Sequence, residues 1–304
     1  MHISVLLNEC LEYLNLSEES VIVDCTLGYG GHSSEILKRI KNGKLYSFDQ
    51  DEIAIENASN RLNKIGTNYK IIRSNFVNLE NEIKKYENSV DGILYDLGVS
   101  SPQLDVDERG FSFHNDARLD MRMDTSSELS AYEIVNNYSF EELTSILYKY
   151  GEEKYANGIV KEIIKAREIK PIETTLELVE IIKNGVPEKY KRDKHPARKT
   201  FQAIRIEVNK ELDVFENSLK QSLDLIKIGG RVCVITFHSL EDKICKSIFK
   251  SVSEVDKNLK NMPIIPEHLQ PKYKIVANIA PSKEELENNK RARSARLRVI
   301  ERVR

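Results

Sequence analysis

Three aspartates, Asp24, Asp49 and Asp96, each end an apolar run, and a group of glycines follows the first. The run Val21-Ile-Val-Asp-Cys-Thr-Leu-Gly-Tyr-Gly-Gly-His-Ser33 is an apolar stretch ending in an acid, then a glycine turn, then the start of a helical pattern. Gly28, Gly30 and Gly31 carry no side chain, so backbone there can approach a ligand closely. Ser33 stands where the dinucleotide fingerprint has its third glycine, which argues against an NAD or FAD site. The free N–H groups of a helix start would attract a pyrophosphate. The same turn suits an adenosine cofactor without phosphates, and a purely structural turn is the plainer alternative. Asp49 closes Lys44-Leu-Tyr-Ser-Phe-Asp about 20 residues past the turn, where an acid accepts hydrogen bonds from ribose hydroxyls. Alternatively, Asp49 or Asp51 caps the next helix. Asp96 ends Val90-Asp-Gly-Ile-Leu-Tyr-Asp, and Ser100, Ser101 and Gln103 follow it with further hydrogen-bonding groups. Ordinary turn chemistry explains a Ser-Ser-Pro but not so many polar groups at a crevice. In His238-Ser-Leu-Glu-Asp242, His238 and Glu241 either face that crevice or belong to a helix start, with Ser239 and Asp242 as a capping box.

These residues need a sheet to align them. Strand patterns cover Val21–Cys25, Lys44–Phe48, Tyr69–Arg73 and Val90–Asp96, with helix spacing between them, as in Asp51–Lys64. Such alternation predicts a mostly parallel sheet. From Asp105 to His195 no strand pattern is convincing. Ser139 and Glu142 form a capping box ahead of Leu143, Ile146 and Leu147, and Gly151 ends that helix. Ile159, Ile163 and Ile164 mark another, and Thr174 with Glu177 caps a third that stops near Gly185. Leu212, Phe215, Leu219, Leu223 and Ile226 then trace a helix closed by Gly229 and Gly230. Strands return at Arg231–Phe237, Tyr273–Ile279 and Arg296–Arg302. The expected architecture is α/β: a Rossmann-like seven-stranded domain from 1–104 and 196–304, and a helical insertion at 105–195 after the fourth strand. The insertion is expected beside the C-terminal strand edge, where open α/β sheets bind ligands.

Composition narrows the class. The chain has 304 residues, 40% hydrophobic and 31% charged, ordinary for a globular protein. A net charge of −2 gives no global pull on nucleic acid, so RNA affinity must come from local patches. Cys10, Cys25, Cys233 and Cys245 form no close-spaced metal pair and read as reduced packing residues, which suits a cytoplasm. The segment from His2, with Glu9 and Glu12, reads as amphipathic rather than as a signal peptide. No apolar run approaches the roughly 20 residues of a membrane helix.

Two segments carry local positive charge. Arg109-Gly-Phe-Ser-Phe-His-Asn-Asp-Ala-Arg-Leu-Asp-Met-Arg-Met-Asp124 mixes arginines with phenylalanines, as suits single-stranded RNA, where rings stack on bases and arginines reach phosphates. Two core aromatics at a helix start are the alternative. Arg109, Arg118, Arg122, Arg198 and Arg205, in or next to the insertion, are the candidate RNA contacts. The tail Lys290–Arg304 has seven basic residues and one acid, but Leu297, Val299 and Val303 alternate with arginines as in a half-buried strand. A structural strand is favoured there, its arginine face open to RNA as a secondary use.

The chain resembles the bacterial 16S ribosomal RNA cytosine-N4 methyltransferases, the RsmH or MraW family, through essentially its whole length. The resemblance is carried by Val5-Leu-Leu-Asn-Glu9, Thr26-Leu-Gly-Tyr-Gly-Gly-His-Ser33, Asp96-Leu-Gly-Val-Ser-Ser-Pro-Gln-Leu-Asp105 and Arg109-Gly-Phe-Ser-Phe113. It continues through Leu119-Asp-Met-Arg-Met-Asp124, Tyr150-Gly-Glu-Glu153, Thr200-Phe-Gln-Ala-Ile-Arg205, Phe237-His-Ser-Leu-Glu-Asp242 and Arg291-Ala-Arg-Ser-Ala295. Tyr29 departs from it, since many members have arginine there. The resemblance implies S-adenosylmethionine as methyl donor, held by Gly30, Gly31, His32, Asp49, Phe76, Asp96 and Gln103. It implies one cytidine of the decoding region as substrate, in 16S ribosomal RNA of the small subunit or its precursor. A cytoplasmic monomer or homodimer, with no membrane partner and no metal, completes the expectation. Cytosine N4 is a poor nucleophile, so catalysis needs placement and an acceptor for an N4 hydrogen. Asp96 and the Leu97 carbonyl are the candidates, with His238 second. A nucleotide-dependent oxidoreductase and a non-catalytic RNA-binding protein are the rival readings.

Overall fold

The computed structural model describes residues 4–99, 106–193, 195–255 and 266–304. The chain divides into two compact units, Met1–Gly98 with Leu212–Arg304, and Val99–Glu211.

The first unit is a seven-stranded sheet flanked by helices. In chain order it contains α1 (Leu7–Tyr13), β1 (Val21–Asp24), α2 (Gly31–Leu37), β2 (Lys44–Asp49), α3 (Glu52–Leu62), β3 (Tyr69–Arg73), α4 (Leu79–Ile83) and β4 (Val90–Asp96). After the second unit it resumes with α11 (Glu211–Leu225), β5 (Ile226–Thr236), α12 (Ser239–Ser253), β6 (Tyr273–Ile279), α13 (Lys283–Asn288) and β7 (Arg296–Arg302). The strand order is β3-β2-β1-β4-β5-β7-β6. Strands β1 to β5 pair in parallel, and β7 runs antiparallel between β5 and β6. Strand residues are apolar in continuous runs because both faces of the sheet are covered. Neighbours in a strand point to opposite faces. Thus Val23, Phe48, Tyr95, Phe215 and Phe249 fill one core cluster, while Ile22, Leu45, Leu94, Ile36 and Leu297 fill another. Each such side chain contributes about 1.5–3 kcal/mol by leaving water.

The order reverses between β1 and β4. β1 has β2 on one side and β4 on the other, so the connections that follow these strands part in opposite directions. That split opens a crevice at the carboxyl ends of β1, β2 and β4. The three aspartates singled out above sit at or near these ends.

Strand β5 begins earlier than its apolar pattern suggests. It includes Gly229 and Gly230, which the sequence pattern assigns to a helix stop. The pairing of β4 with β5 shifts register between Val90 and Gly92. A Cβ on Gly230 would fall 2.7 Å from the Asp91 carbonyl oxygen, so the missing side chain lets the bulge close. The basic tail is structural: Arg298 makes a two-pronged pair with Asp242 at 2.6 and 3.0 Å, and Arg302 donates to the Ile226 carbonyl at 2.8 Å. The idea of an arginine face open to RNA therefore gives way at these two positions.

The second unit is helical: α5 (Ala131–Asn137), α6 (Phe140–Gly151), α7 (Ala156–Arg167), α8 (Thr175–Asn184), α9 (Glu188–Asp193) and α10 (Ala197–Asn209). Among its described residues the only β pairing is an isolated bridge between Arg118 and Thr174. Reciprocal capping boxes start α5 (Ser130, Glu133), α6 (Ser139, Glu142) and α8 (Thr174, Glu177). The unit extends past residue 195 because α10 packs on α6. Asn209 also fixes the segment before α5, accepting from Met123 N and donating to the Met121 carbonyl, both at 2.8 Å. Among the described residues no helix is long and apolar enough to cross a membrane.

Ser139→Ala removes one oxygen of the α6 box and is expected to lower stability by about 1 kcal/mol. Faster hydrogen exchange at the Glu142 amide, with the β1 and β4 amides unchanged, is the expected readout.

Candidate functional site

The loop after β1 is organised by a buried acid. Asp24 is 1% exposed and accepts from Thr26 N at 3.0 Å and from Ser33 Oγ at 2.7 Å. Ser33 Oγ also lies 2.9 Å from Ser47 Oγ on β2. Ser33 is therefore no mere gap in a glycine fingerprint: its hydroxyl ties the first turn of α2 to β1 and β2. Gly30 has φ +72°, a left-handed conformation that favours glycine. A Cβ on Gly31 would strike Ser4 Oγ at 2.0 Å.

Asp49 reaches into the same loop. Its Oδ2 accepts from Gly28 N and its Oδ1 from Asp51 N, both at 2.9 Å. The helix cap belongs to Asp51, whose side chain accepts from Ile53 N at 3.1 Å. That resolves the alternative for this pair: Asp49 clasps the glycine turn and Asp51 caps α3. Burial pushes the Asp49 carboxyl up to about 6, against the pull of its backbone hydrogen bonds. Each carboxylate oxygen keeps a second lone pair for a ligand hydroxyl.

Asp96 stands across the switch point. Its N–H donates to Thr26 Oγ1 at 2.7 Å. Its Oδ2 lies 3.5 Å from His32 Nδ1. Its Oδ1 is buried and has no hydrogen-bond partner among the described residues. Buried polar atoms are rarely left this way in a finished structure. Burial pushes the Asp96 carboxyl up to about 6; His32 pulls it down, and Asp24 and Glu241 raise it.

Phe76, expected only from the family resemblance, begins a short 3₁₀ turn capped by Asn75. It lies edge-on to Tyr95 at 5.8 Å between ring centres. No periodicity singles it out, because it belongs to a three-residue turn. Gln103, with Ser100 and Ser101, lies outside the described residues.

His238 turns out to be a capping residue. Its Nδ1 accepts from Glu241 N at 3.4 Å, while Glu241 Oε2 accepts from Phe237 N at 2.7 Å. Since Nδ1 accepts, Nε2 carries the proton in the neutral ring. Nε2 lies 3.1 Å from Glu241 Oε1 but off the line of a hydrogen bond. His238 thus serves as the helix cap, with Nδ1 occupied by the Glu241 amide. The box is His238 with Glu241, not Ser239 with Asp242; Asp242 is paired with Arg298.

The five arginines separate into two groups. Arg109 donates to the Arg122 carbonyl at 2.8 Å. Arg122 pairs with both Asp120 oxygens at 2.8 Å and donates to the Thr125 and Ser127 carbonyls. Arg205 forms a two-pronged pair with Glu211, each bond 2.8 Å. These three make bonds that hold the second unit together. Arg118 and Arg198 are exposed.

The chemistry of the first-unit cradle follows. Asp24, Asp49 and Asp96 repel a pyrophosphate and favour a neutral or cationic ligand. The glycine backbone, the ribose-height acid and the orphaned oxygen fit an adenosine compound bearing positive charge. All four cysteines are buried and unpaired, and burial raises their thiols, so none is a nucleophile.

A model of the MraW methylase family matches residues 1–303. The chain is 50% identical to the ribosomal RNA small subunit methyltransferase H of Exiguobacterium sibiricum, over 99% of this chain and 98% of that one. It is 52% identical to the protein of the same description from Finegoldia magna, over the same shares. Among solved structures, an rRNA methylase from Streptococcus thermophilus aligns over 100% of both chains with a TM-score of 0.46 and 13% identity.

In the ligand-free protein Asp49 should titrate near 6, well above the ordinary 3.8, as read by carboxyl ¹³C NMR. A folded-state value above the unfolded one means the folded chain holds more protons between these pH values. This group's contribution to stability therefore grows as pH falls from above 6 towards 3.8, and is unfavourable above 6. A midpoint below 4.5 would show that the carboxyl is well hydrated.

Proposed function

The chain belongs to the MraW methylase family and is a methyltransferase that draws its methyl group from S-adenosylmethionine, and on that premise we propose that it methylates RNA of the small ribosomal subunit. The finer reading is N4-methylation of one cytidine in the decoding region of 16S ribosomal RNA, in the subunit or its precursor, in the cytoplasm. The observation that carries the reaction type is the buried, unpartnered Asp96 Oδ1 beside a glycine cradle. An exocyclic amine supplies the N–H that this oxygen lacks.

The donor supplies an electrophilic methyl on a positively charged sulfur. Gly30 and Gly31 would let backbone approach it, Asp49 would accept from its ribose hydroxyls, and Phe76 would cover its adenine ring. Asp96 accepts an N4 hydrogen through Oδ1 and so orients the nitrogen lone pair. The N4 lone pair is delocalised into the ring, so most of the rate gain comes from in-line placement. The raised Asp96 carboxyl suits proton acceptance near neutral pH better than an ordinary carboxylate does.

Small subunits incubated with the enzyme and labelled donor should yield labelled N4-methylated cytidine on nucleoside mass spectrometry. Label on carbon 5 or on a ribose hydroxyl would overturn the N4 reading. No label in small subunits, with uptake when large subunits are supplied instead, would overturn the substrate.

Arg118 and Arg198 are the exposed members of the arginine group, and we assign RNA phosphate contacts to them. Observed affinity falls with salt by a log–log slope of about −0.7 per phosphate contact on single strands. Replacing both with alanine should make that slope shallower by about 1.4, with donor affinity unchanged. A parental slope in the double variant would remove both residues from the RNA contact.

A further inference from the structure

Seven cations lie between Lys290 and Arg304, and the fold uses several of them. Arg298 pairs with Asp242, and Arg302 donates to the Ile226 carbonyl. Arg296 donates to Asn278 Oδ1 at 2.7 Å and Arg304 to the Pro271 carbonyl at 3.2 Å. Lys290 and Arg293 differ from these. Both are exposed, and neither has a hydrogen-bond or ion-pair partner among the described residues. They stand on a short 3₁₀ turn, Lys290–Ser294, that leads into β7.

That turn is anchored. Ala292 and Ala295 are buried in the core cluster that also holds Leu297 and Val299. Asn289 Oδ1 accepts from Arg291 N at 3.2 Å, and Ala295 N donates to the Ala292 carbonyl at 2.9 Å. Small apolar side chains face the core, while the long basic ones at 290 and 293 face water. Strand register then places the turn at the ligand edge of the sheet. Asp96 of β4 is level with Ile235 of β5, and Ile235 with Leu297 of β7. Neighbouring strands lie roughly 4.8 Å apart, so the Leu297 backbone stands about 10 Å from that of Asp96. Because β7 runs antiparallel to β5, the residues that precede it lie beyond the carboxyl ends of β4 and β5. Open α/β sheets take their ligands at that edge.

We propose that Lys290 and Arg293 form a phosphate-binding site for the substrate RNA, holding its backbone at the first unit beside the base presented to Asp96. The inference rests on the RNA reading above and deepens it, since it adds a contact outside the helical unit. A guanidinium offers a planar fork to phosphate oxygens, and an ammonium offers a point charge. Phosphate contacts of this kind fix the register of a strand and carry no sequence information. A turn already ordered by its alanines loses less freedom on binding. The acids of α13 leave both cations available. Glu285 accepts from Leu6 N at 2.7 Å. Glu284 and Glu287 make no ion pair with Lys290 or Arg293 among the described residues.

The test uses the full-length chain and a fluorescein-labelled single-stranded oligoribonucleotide, with binding followed by anisotropy across a salt series. Each phosphate contact adds about 0.7 to the log–log slope, so Lys290→Ala with Arg293→Ala should make it shallower by about 1.4. Lys290→Arg with Arg293→Lys keeps both charges and should keep the parental slope. Lys272→Ala with Lys274→Ala removes two exposed cations at the opposite end of the sheet, where β6 begins, and should keep it too. A parental slope in the 290/293 alanine pair would overturn the proposal. So would an equal change in the 272/274 pair, because total charge rather than this turn would then be acting. Failure of the parent to bind the oligoribonucleotide at low salt would overturn it as well. Affinity for S-adenosylmethionine should be unchanged throughout, and its loss in the 290/293 pair would move the turn to the donor site instead. Should the alanine pair fail to fold, Lys290→Gln with Arg293→Gln, which keeps the apolar stems, reads the same slope. A parent that leaves small subunits unmethylated, with the slope still shallower in the alanine pair, would refute the substrate and keep the phosphate contact.

Discussion

The site depends on one hydroxyl. Main-chain pairing between β1 and β4 ends where Cys25 N donates to the Leu94 carbonyl at 2.9 Å. Beyond that point the topology drives the two connections apart. Thr26 Oγ1 adds one further rung, accepting from Asp96 N at 2.7 Å while donating towards Asp24 Oδ1 at 3.4 Å. The side chain continues the ladder where the backbone cannot. The glycine turn and the β4 carboxylate thus hang from a single residue pair, Asp24 and Thr26. A valine at position 26 would keep the shape and lose both bonds, leaving Asp24 less satisfied and the Asp96 amide without this partner.

This arrangement concentrates negative charge. Three carboxylates stand at or near the ends of adjoining strands, and burial opposes the ionisation of Asp49 and Asp96. The fold offsets that penalty unevenly. Asp24 has a backbone amide and two hydroxyls, and Asp49 has two backbone amides, but among the described residues Asp96 has an imidazole and one oxygen without a hydrogen-bond partner. The least satisfied of the three is the one at the switch point. An unevenly satisfied set of buried carboxyls persists only where the surrounding core holds the geometry.

Strand positions were legible in the sequence because a parallel sheet buried on both faces demands uninterrupted apolar runs, and Tyr69–Arg73, Val90–Asp96 and Tyr273–Ile279 are found at those bounds. Site acids were legible because they end such runs. Partners were not. The sequence shows Asp49 and Asp51 as equivalent caps, and only the loop geometry turns one to Gly28 and the other to Ile53. His238 reads as a crevice base from its residue type, yet one ring nitrogen closes a helix start. Phe76 was beyond bottom-up reading, since a lone aromatic in a three-residue turn has no period to betray it. Gly229 and Gly230 read as punctuation, but a strand bulge uses the same residues for close backbone approach.

The arginines show why composition is a weak guide to an RNA surface. Arg109, Arg122 and Arg205 lie in family-like runs rich in positive charge, and all three donate to backbone carbonyls or carboxylates of their own unit. A guanidinium fixed in a planar two-pronged pair has its charge largely neutralised and its donors taken. The net charge of −2 then leaves recognition of a polyanion to the few cations that the fold does not use. Arg122, held on Asp120 and on the Thr125 and Ser127 carbonyls, spends its donors on ordering this segment of its own unit.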